Sequence, residues 1–201
     1  MRVQTGARRR ENVGTADAGR SMIHANPGAR ARFMSKRIVW IVLVAAVAFF
    51  GAMRCGSAQI VALGASATAG YGLAPSDSFP AQLQAMLQAR GSASRVINAG
   101  VSGETTSQIL ARVNSSVPEG TRTVILSIFM LNDRNRGVSP ARHQANVAGI
   151  HQQLRARHIR VIDATGLIIS AAKAGLLQRD GIHLTAEGNK RVAAALAASL
   201  R

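Results

Sequence analysis

The chain has 201 residues, of which 47% are hydrophobic and 17% are charged, and it contains five histidines and one cysteine. This length allows one domain of ordinary size with an appendage, and the apolar fraction is too high for a disordered chain. One cysteine excludes a disulfide framework and a thiolate metal cluster, and histidines without close pairing do not favour a zinc site. We therefore expect a globular domain without metal or cofactor, and its net charge of +16 requires an explanation.

Positive charge is densest in the first part of the chain. Residues 1–58 hold ten Lys or Arg and two acidic residues, and residues 59–201 hold fifteen and seven, so each part has a net charge of +8. The second part has only Tyr71, Phe79 and Phe129 as aromatic residues, too few for a platform that stacks bases. Nucleic-acid binding is therefore not expected.

The first 58 residues have the pattern of an export segment. Residues 1–35 are polar and Arg-rich, which predicts a disordered basic extension, and Met34 is an alternative initiator. Residues 36–58 begin with two basic residues, continue with an apolar run over 38–53 and end in a small-residue site, which predicts a signal peptide cleaved before Gln59. The alternative is an uncleaved signal anchor, although a spanning helix needs about 20 apolar residues. Both interpretations predict an exported protein, either periplasmic or secreted, or anchored in the inner membrane by residues 38–53.

From Gln59 onward, short β-like runs alternate with amphipathic segments of helix length. The predicted elements, in chain order, are a strand at 60–63, a helix at 78–90, a strand at 95–98, a helix at 105–113, a strand at 123–128, a helix at 139–157, a strand at 159–162 and helices at 166–174 and 185–200. Strands separated by helices imply parallel pairing through right-handed crossovers. The predicted fold is therefore α/β, a three-layer α/β/α sandwich with a parallel, flavodoxin-like sheet over residues 59–201, whose ligands bind at the carboxyl ends of the strands.

A serine follows the first predicted strand at a turn made of small residues. Ser66 lies between Ala65 and Ala67, so we expect its hydroxyl to be exposed and nearby backbone N–H groups to be free for an oxyanion. Two other interpretations remain open. One is a small-residue loop that packs closely; the other is a phosphate-binding loop, although the Gly-Lys-Ser/Thr ending is absent. The G-x-S-x-G elbow is also incomplete, because Thr68 replaces its second glycine.

Three later loops contain further polar groups. Gly100 and Gly103 permit unusual backbone torsions after the second strand, and Asn132 after the third strand is a neutral hydrogen-bond donor. Asp180 precedes His183 by three residues, a spacing that lets the carboxylate bind the imidazole Nδ1–H and leaves Nε2 as a base. Each group also has a plainer interpretation as a turn residue.

Arginine and histidine side chains near these loops could bind a substrate or be exposed to solvent. Three arginines next to the Asn132 loop would attract anionic substrates or form a solvated face, and salt screening favours the solvated face. These are Arg134, Arg136 and Arg142. The remaining histidines of this part are expected to be solvated, namely His143, His151 and His158.

The order of these blocks resembles the SGNH (GDSL-type) hydrolases over essentially all of residues 59–201. The resemblance rests on the serine block 60–72, the glycine block 96–105, Asn132-Asp133 with the following Arg136-Gly137, and the block 180–185. It implies the SGNH hydrolase fold. It also implies Ser66 as nucleophile and His183 as general base, oriented by Asp180. The implied oxyanion hole consists of the backbone N–H groups of Ser66 and Gly103 and the side chain of Asn132.

The resemblance implies an exported serine esterase of the arylesterase, lysophospholipase or thioesterase type. Such an enzyme hydrolyses small or lipid-derived esters or thioesters without metal or cofactor, and it contacts a membrane only through an uncleaved N-terminal segment. The alternatives are an O-acetylesterase acting on envelope carbohydrate and a catalytically weak homologue that binds a ligand. The sequence departs from the family pattern where Ala65 and Ala67 replace the acid and leucine of Gly-Asp-Ser-Leu, and where Met130 replaces a glycine near Asn132.

Overall fold

Four parallel strands form the sheet that organises residues 59–200, the part of the chain described by a computed structural model. The strands are β1 (Gln59–Gly64), β2 (Arg95–Gly100), β3 (Thr121–Ser127) and β4 (Arg160–Asp163). Their order is β2-β1-β3-β4, and every neighbouring pair is parallel. Connections leave β1 and β3 toward opposite sides of the order, so the switch point lies at the carboxyl ends of these two strands. The predictions for residues 1–58 lie outside the described residues.

Helices connect these strands and cover both faces of the sheet. They are α1 (Ser66–Ala69), α2 (Phe79–Ala89), α3 (Thr106–Ala111), α4 (Val113–Ser116), α5 (Leu131–Asn135), α6 (Pro140–Ala156), α7 (Thr165–Lys173) and α8 (Ala186–Ser199). The hydroxyls of Thr105, Ser139 and Thr185 cap α3, α6 and α8 by accepting backbone N–H bonds, which explains where these helices begin. Within residues 59–200 no helix combines the length and apolar character needed to cross a membrane.

The sheet is buried on both faces because its strands alternate their side chains between two apolar layers. Ile60 and Ala62 of β1 pack into a cluster with α2, α7 and α8. Val61 and Leu63 point to the other face and pack with α3, α4 and α6. All four side chains are almost fully buried, as expected for a parallel sheet with helices on both sides. This arrangement confirms the predicted three-layer α/β/α sandwich.

Several boundaries differ from the sequence prediction. Strand β2 extends to Gly100 because it remains paired with β1 up to Gly64. The helix predicted over 105–113 is divided into α3 and α4 at Arg112. Helix α5 follows β3 where the sequence indicated only a turn, because Leu131 is the single apolar residue of its five.

Candidate active site

Ser66 is the first residue of α1, at the end of the central strand β1. Thr68 is buried in this short helix, and its hydroxyl is hydrogen-bonded to that of Ser127 at the end of β3. The helix is therefore fixed to the sheet by the residue that replaces the second glycine of the G-x-S-x-G pattern. Among residues 59–200, the backbone N–H of Ser66 has no hydrogen-bond acceptor, which leaves it available to a ligand.

Asp180 and His183 form a hydrogen-bonded pair in the loop before α8. Asp180 Oδ2 lies 2.6 Å from His183 Nδ1, and Asp180 Oδ1 accepts the backbone N–H groups of Ile182 and His183 at 2.9 and 3.0 Å. The side-chain hydrogen bond from His183 and these two backbone bonds lower the pKa of Asp180 from 3.8 to about 2. An ionised Asp180 accepts from Nδ1–H, so the lone pair of the neutral imidazole is on Nε2.

The structure brings Ser66 and His183 to one cleft. Both residues line a cavity of about 140 Å³ at the carboxyl ends of the strands. The ring of Tyr71 lies against the imidazole of His183, with ring centroids 4.7 Å apart. Within the described residues, Ser66 Oγ and the imidazole are not joined by a hydrogen bond. Serine hydroxyls rotate freely, and such bonds often shorten only when substrate binds.

The lining of the cleft is largely apolar. Its apolar residues come from α3, the β3–α5 segment, α7 and the His183 loop, and they are Ile109, Ile128, Phe129, Leu131, Ile168, Ile169, Ala172 and Ile182. Such a lining receives a hydrocarbon group and excludes water from the reacting centre. The arrangement places an apolar pocket directly beside a serine and a histidine.

Gly103 and Asn132 lie at the same end of the sheet, with different relations to the cleft. Asn132 lines the cavity, and its Nδ2 donates to the carbonyl oxygen of Glu104 at 2.9 Å. This bond uses one of its two N–H groups and leaves the other. Gly103 is not among the residues that line the cavity, but it has a φ of +81°, which explains why glycine is needed there. Its N–H has no acceptor among residues 59–200.

A buried network that the sequence did not indicate holds the Asn132 segment in place. The side chain of Asp133 is fully buried and accepts from Thr106 N–H at 2.7 Å, Thr106 Oγ1 at 2.6 Å and His143 Nδ1 at 2.8 Å. Burial alone raises the pKa of Asp133, but the hydrogen bonds from Thr106 and His143 and the charge of His143 together lower it below its usual value. Asn146 donates to Thr106 Oγ1 and completes the network.

The expectation that His143 is solvated is therefore wrong. Its side chain is 15% exposed and is bound to Asp133. His143 lies one turn into α6 after Ser139-Pro140, and the turn at this helix start directs it back toward α5. The ten-residue separation from Asp133 gives no local signal in the sequence.

A second connection runs from the Gly103 loop to the Ser66 turn. Arg112 Nε binds Glu104 Oε2 at 2.6 Å, and Arg112 Nη2 donates to the carbonyl oxygen of Gly64 at 3.0 Å. Gly64 precedes Ser66 by two residues, so Arg112 links the end of β1 to the β2–α3 loop. Within residues 59–200, no group of three or more His, Cys, Asp or Glu side chains is arranged to hold a metal ion.

Known proteins resemble this chain in sequence and in fold. It is 34% identical to Esterase TesA of Pseudomonas aeruginosa over 103 residues, which is 51% of either chain. It is also 34% identical to an arylesterase of Vibrio mimicus over 102 residues, 50% of this chain and 51% of that one. The chain spans about half the length of these curated relatives. A crystal structure of TesA has a TM-score of 0.63 and 25% identity, covering 71% of this chain and 98% of that chain.

The family assignment rests on a longer match. The sequence pattern of the GDSL-like lipase/acylhydrolase family matches residues 62–178, more than half of the chain. This range contains Ser66, Gly103 and Asn132, and it ends two residues before Asp180. Together with the sheet order and the solved relative, it shows that the chain belongs to the GDSL-like lipase/acylhydrolase family and has the SGNH hydrolase fold.

Proposed function

We propose that the chain is an exported serine esterase that hydrolyses carboxylic esters or thioesters through Ser66, His183 and Asp180. The observation that supports this most strongly is the Asp180–His183 pair, whose imidazole lines the same cleft as Ser66. Membership of a lipase/acylhydrolase family and the names of two relatives, an esterase and an arylesterase, agree with the proposal.

The first half of the proposed reaction forms an acyl-enzyme. Ser66 Oγ attacks the carbonyl carbon while His183 Nε2 accepts the hydroxyl proton, and Asp180 stabilises the resulting imidazolium. The carbonyl oxygen becomes an oxyanion that accepts hydrogen bonds from the N–H groups of Ser66 and Gly103 and from Asn132 Nδ2. The bond between carbonyl carbon and leaving oxygen or sulfur then breaks, and His183 returns the proton to the departing alcohol or thiol.

The second half releases the acid. A water molecule attacks the carbonyl carbon of the acyl-Ser66 ester while His183 Nε2 accepts one water proton. The bond between the acyl carbon and Ser66 Oγ breaks, His183 gives the proton back to Oγ, and a carboxylic acid leaves. The apolar lining of the cleft favours an acyl chain over a carbohydrate in this position. This supports hydrolysis of esters with an apolar acyl chain over deacetylation of envelope carbohydrate.

Hydrolysis of chromogenic esters tests the proposal. 4-Nitrophenyl acetate, butyrate and decanoate are offered to the full chain and to Ser66→Ala, with Ser199→Ala, an exposed serine on α8, as the control. Loss of the nucleophile is expected to lower kcat by about a millionfold, whereas Ser199→Ala is expected to keep wild-type activity. Full activity of Ser66→Ala would show that the assignment is wrong. Absence of hydrolysis by folded wild-type protein would favour a ligand-binding homologue.

Export is the part of the proposal that rests on residues 36–58 alone. N-terminal sequencing of protein recovered from the envelope of an expressing bacterium tests it. Cleavage before Gln59 yields a chain that begins with Gln59, and a retained anchor yields a membrane-bound chain that still contains residues 38–53. Full-length protein in the cytosol would contradict both forms of export.

A further inference from the structure

Arg136 places a guanidinium beside the predicted oxyanion hole. A Cβ built on Gly103 would lie 3.4 Å from Arg136 Nη2, so the cation is in contact distance of this glycine. The backbone explains this position, because Arg136 directly follows α5 and its backbone N–H donates to the carbonyl oxygens of Asn132 and Asp133. Arg136 and Asn132 therefore leave the same short helix toward the Gly103 loop.

The acidic side chains of this region are already bound by other groups. Glu104 binds Arg112 at 2.6 Å, and Asp133 is enclosed by Thr106 and His143. Among residues 59–200, the guanidinium of Arg136 has no ion pair and none of its N–H groups has a hydrogen-bond acceptor. An arginine whose near acids are engaged elsewhere, at the edge of a cleft, is available for an anionic ligand.

The cleft is lined by apolar side chains, whereas Arg136 carries a positive charge, so the two favour different parts of a substrate. The apolar lining accepts a hydrocarbon chain but would penalise a buried charge. Gly103 lies outside that lining, and Arg136 lies against Gly103. An acyl chain in the cleft therefore directs the alcohol part of an ester away from the lining, toward the side where Arg136 is exposed.

We propose that Arg136 is a specificity-determining residue, which binds a negatively charged group on the alcohol part of the ester. The preferred substrate is then amphiphilic, with an apolar acyl chain and an anionic leaving alcohol. This inference rests on the proposed function and names the substrate class of the same site. Because Arg136 is exposed, its effect is modest and depends on salt.

Three chromogenic esters test whether the effect of Arg136 depends on where the substrate carries its negative charge. The neutral ester is 4-nitrophenyl butyrate, the second is its 3-carboxy-4-nitrophenyl analogue with the charge on the leaving group, and the third is 4-nitrophenyl hydrogen glutarate with the charge on the acyl part. Arg136→Gln and Arg136→Lys are compared with Arg95→Gln. Arg95 is exposed at the start of β2, at the opposite edge of the sheet, so this control removes the same charge away from the site.

Arg136→Gln is expected to lower kcat/KM for the carboxylated leaving group about fivefold relative to the neutral ester at low salt. The difference should shrink as ionic strength rises, Arg136→Lys should recover part of it, and Arg95→Gln should not produce it. The glutarate ester should respond to Arg136→Gln like the neutral ester.

Several results would overturn the inference. Equal losses on the neutral and carboxylated esters would make Arg136 part of general transition-state stabilisation. If Arg136→Gln lowers kcat/KM for the glutarate ester as much as for the carboxylated leaving group, Arg136 does not distinguish a charge on the alcohol part from one on the acyl part. If Arg95→Gln has the same effect as Arg136→Gln, the effect comes from the net charge of the protein. In all three cases the esterase proposal stands. If folded wild-type protein hydrolyses none of the esters, both the proposed function and this inference fail.

Discussion

Asn132 has one amide N–H fixed by Glu104 and one that remains for a ligand at the cleft. Its predicted role as an oxyanion donor can be separated from its contribution to folding. Asn132→Ala is expected to lower kcat on 4-nitrophenyl butyrate by about a hundred- to a thousandfold with a smaller change in KM, because the donor acts on charge that develops in the transition state. Asn135→Ala, an exposed amide of the same helix, is the control with unchanged kcat. A loss that appears only in KM would contradict the role.

Asp180 makes the stability of the chain depend on pH in a narrow acidic range. Its pKa is about 2 in the folded chain against an ordinary value of 3.8, because His183 and two backbone N–H groups bind the carboxylate. Since the folded pKa is the lower one, the ionised carboxylate stabilises the fold fully above the ordinary value. This contribution is lost as the pH falls from about 4 to about 2.

Thermal unfolding of wild type and Asp180→Asn at several pH values measures this dependence. The difference in Tm is expected to stay constant between pH 7 and about 5 and to shrink as the pH approaches about 2. A difference that stays constant down to the lowest pH would contradict the assigned hydrogen bonds. A loss of esterase activity between pH 4 and 7 must then come from a group other than Asp180.

At the scale of elements, the Asp133 network attaches α5 to the starts of α3 and α6. Asp133→Ala leaves Thr106 N–H and His143 without their acceptor in a buried place, so unfolding is expected to become easier by about 3 kcal/mol. Urea unfolding measures this change. Glu119→Ala removes a carboxylate that is 99% exposed, and its cost is expected to stay within about 0.5 kcal/mol. Equal effects of the two variants would contradict the role of the network.

The end of β2 packs directly against the helix that begins with Ser66. A Cβ on Gly100 would lie 2.2 Å from the backbone nitrogen of Ala69, so Gly100→Ala must displace α1. We expect a loss of stability of about 3 kcal/mol together with a loss of ester hydrolysis at temperatures where the variant is still folded. Gly166→Ala is the matched control, because nothing lies within 4 Å of its Cβ position in α7. It is expected to stabilise the chain by about 0.5 kcal/mol, and equal behaviour of the two variants would contradict the packing argument.

The elements differed in how far the sequence could predict them. The strands were predictable because they contain apolar runs, such as Val124–Leu126, that are buried on both faces. The starts of α6 and α8 were predictable because Ser139 and Thr185 are local helix caps. Helix α5 was not predictable, since its polar sequence is held by tertiary hydrogen bonds that Asp133 accepts rather than by an apolar face. The relation of Gly103 to the cleft likewise depends on how the β2–α3 loop turns in space.

At the scale of the whole molecule, the site depends on the parallel order of the sheet. Ser66 and His183 are 117 positions apart in the sequence. Ser66 follows β1 at the switch point, and the loop between α7 and α8 brings His183 to the same cleft. The position of Ser66 was predictable from topology, because ligands of parallel sheets bind at the carboxyl ends of the strands. The pairing of Ser66 with His183 was implied by the family resemblance. The positions of Tyr71 on His183 and of Arg136 on Gly103 required the three-dimensional structure.

Mapping of a fluorophosphonate adduct tests most directly whether Ser66 and His183 act together. The full chain is treated with a serine-directed fluorophosphonate, and its peptides are analysed by mass spectrometry. We expect a single adduct on Ser66, and at least about a hundredfold slower labelling in His183→Ala, because the imidazole no longer accepts the hydroxyl proton. An adduct on another residue, or equally fast labelling without His183, would contradict this expectation.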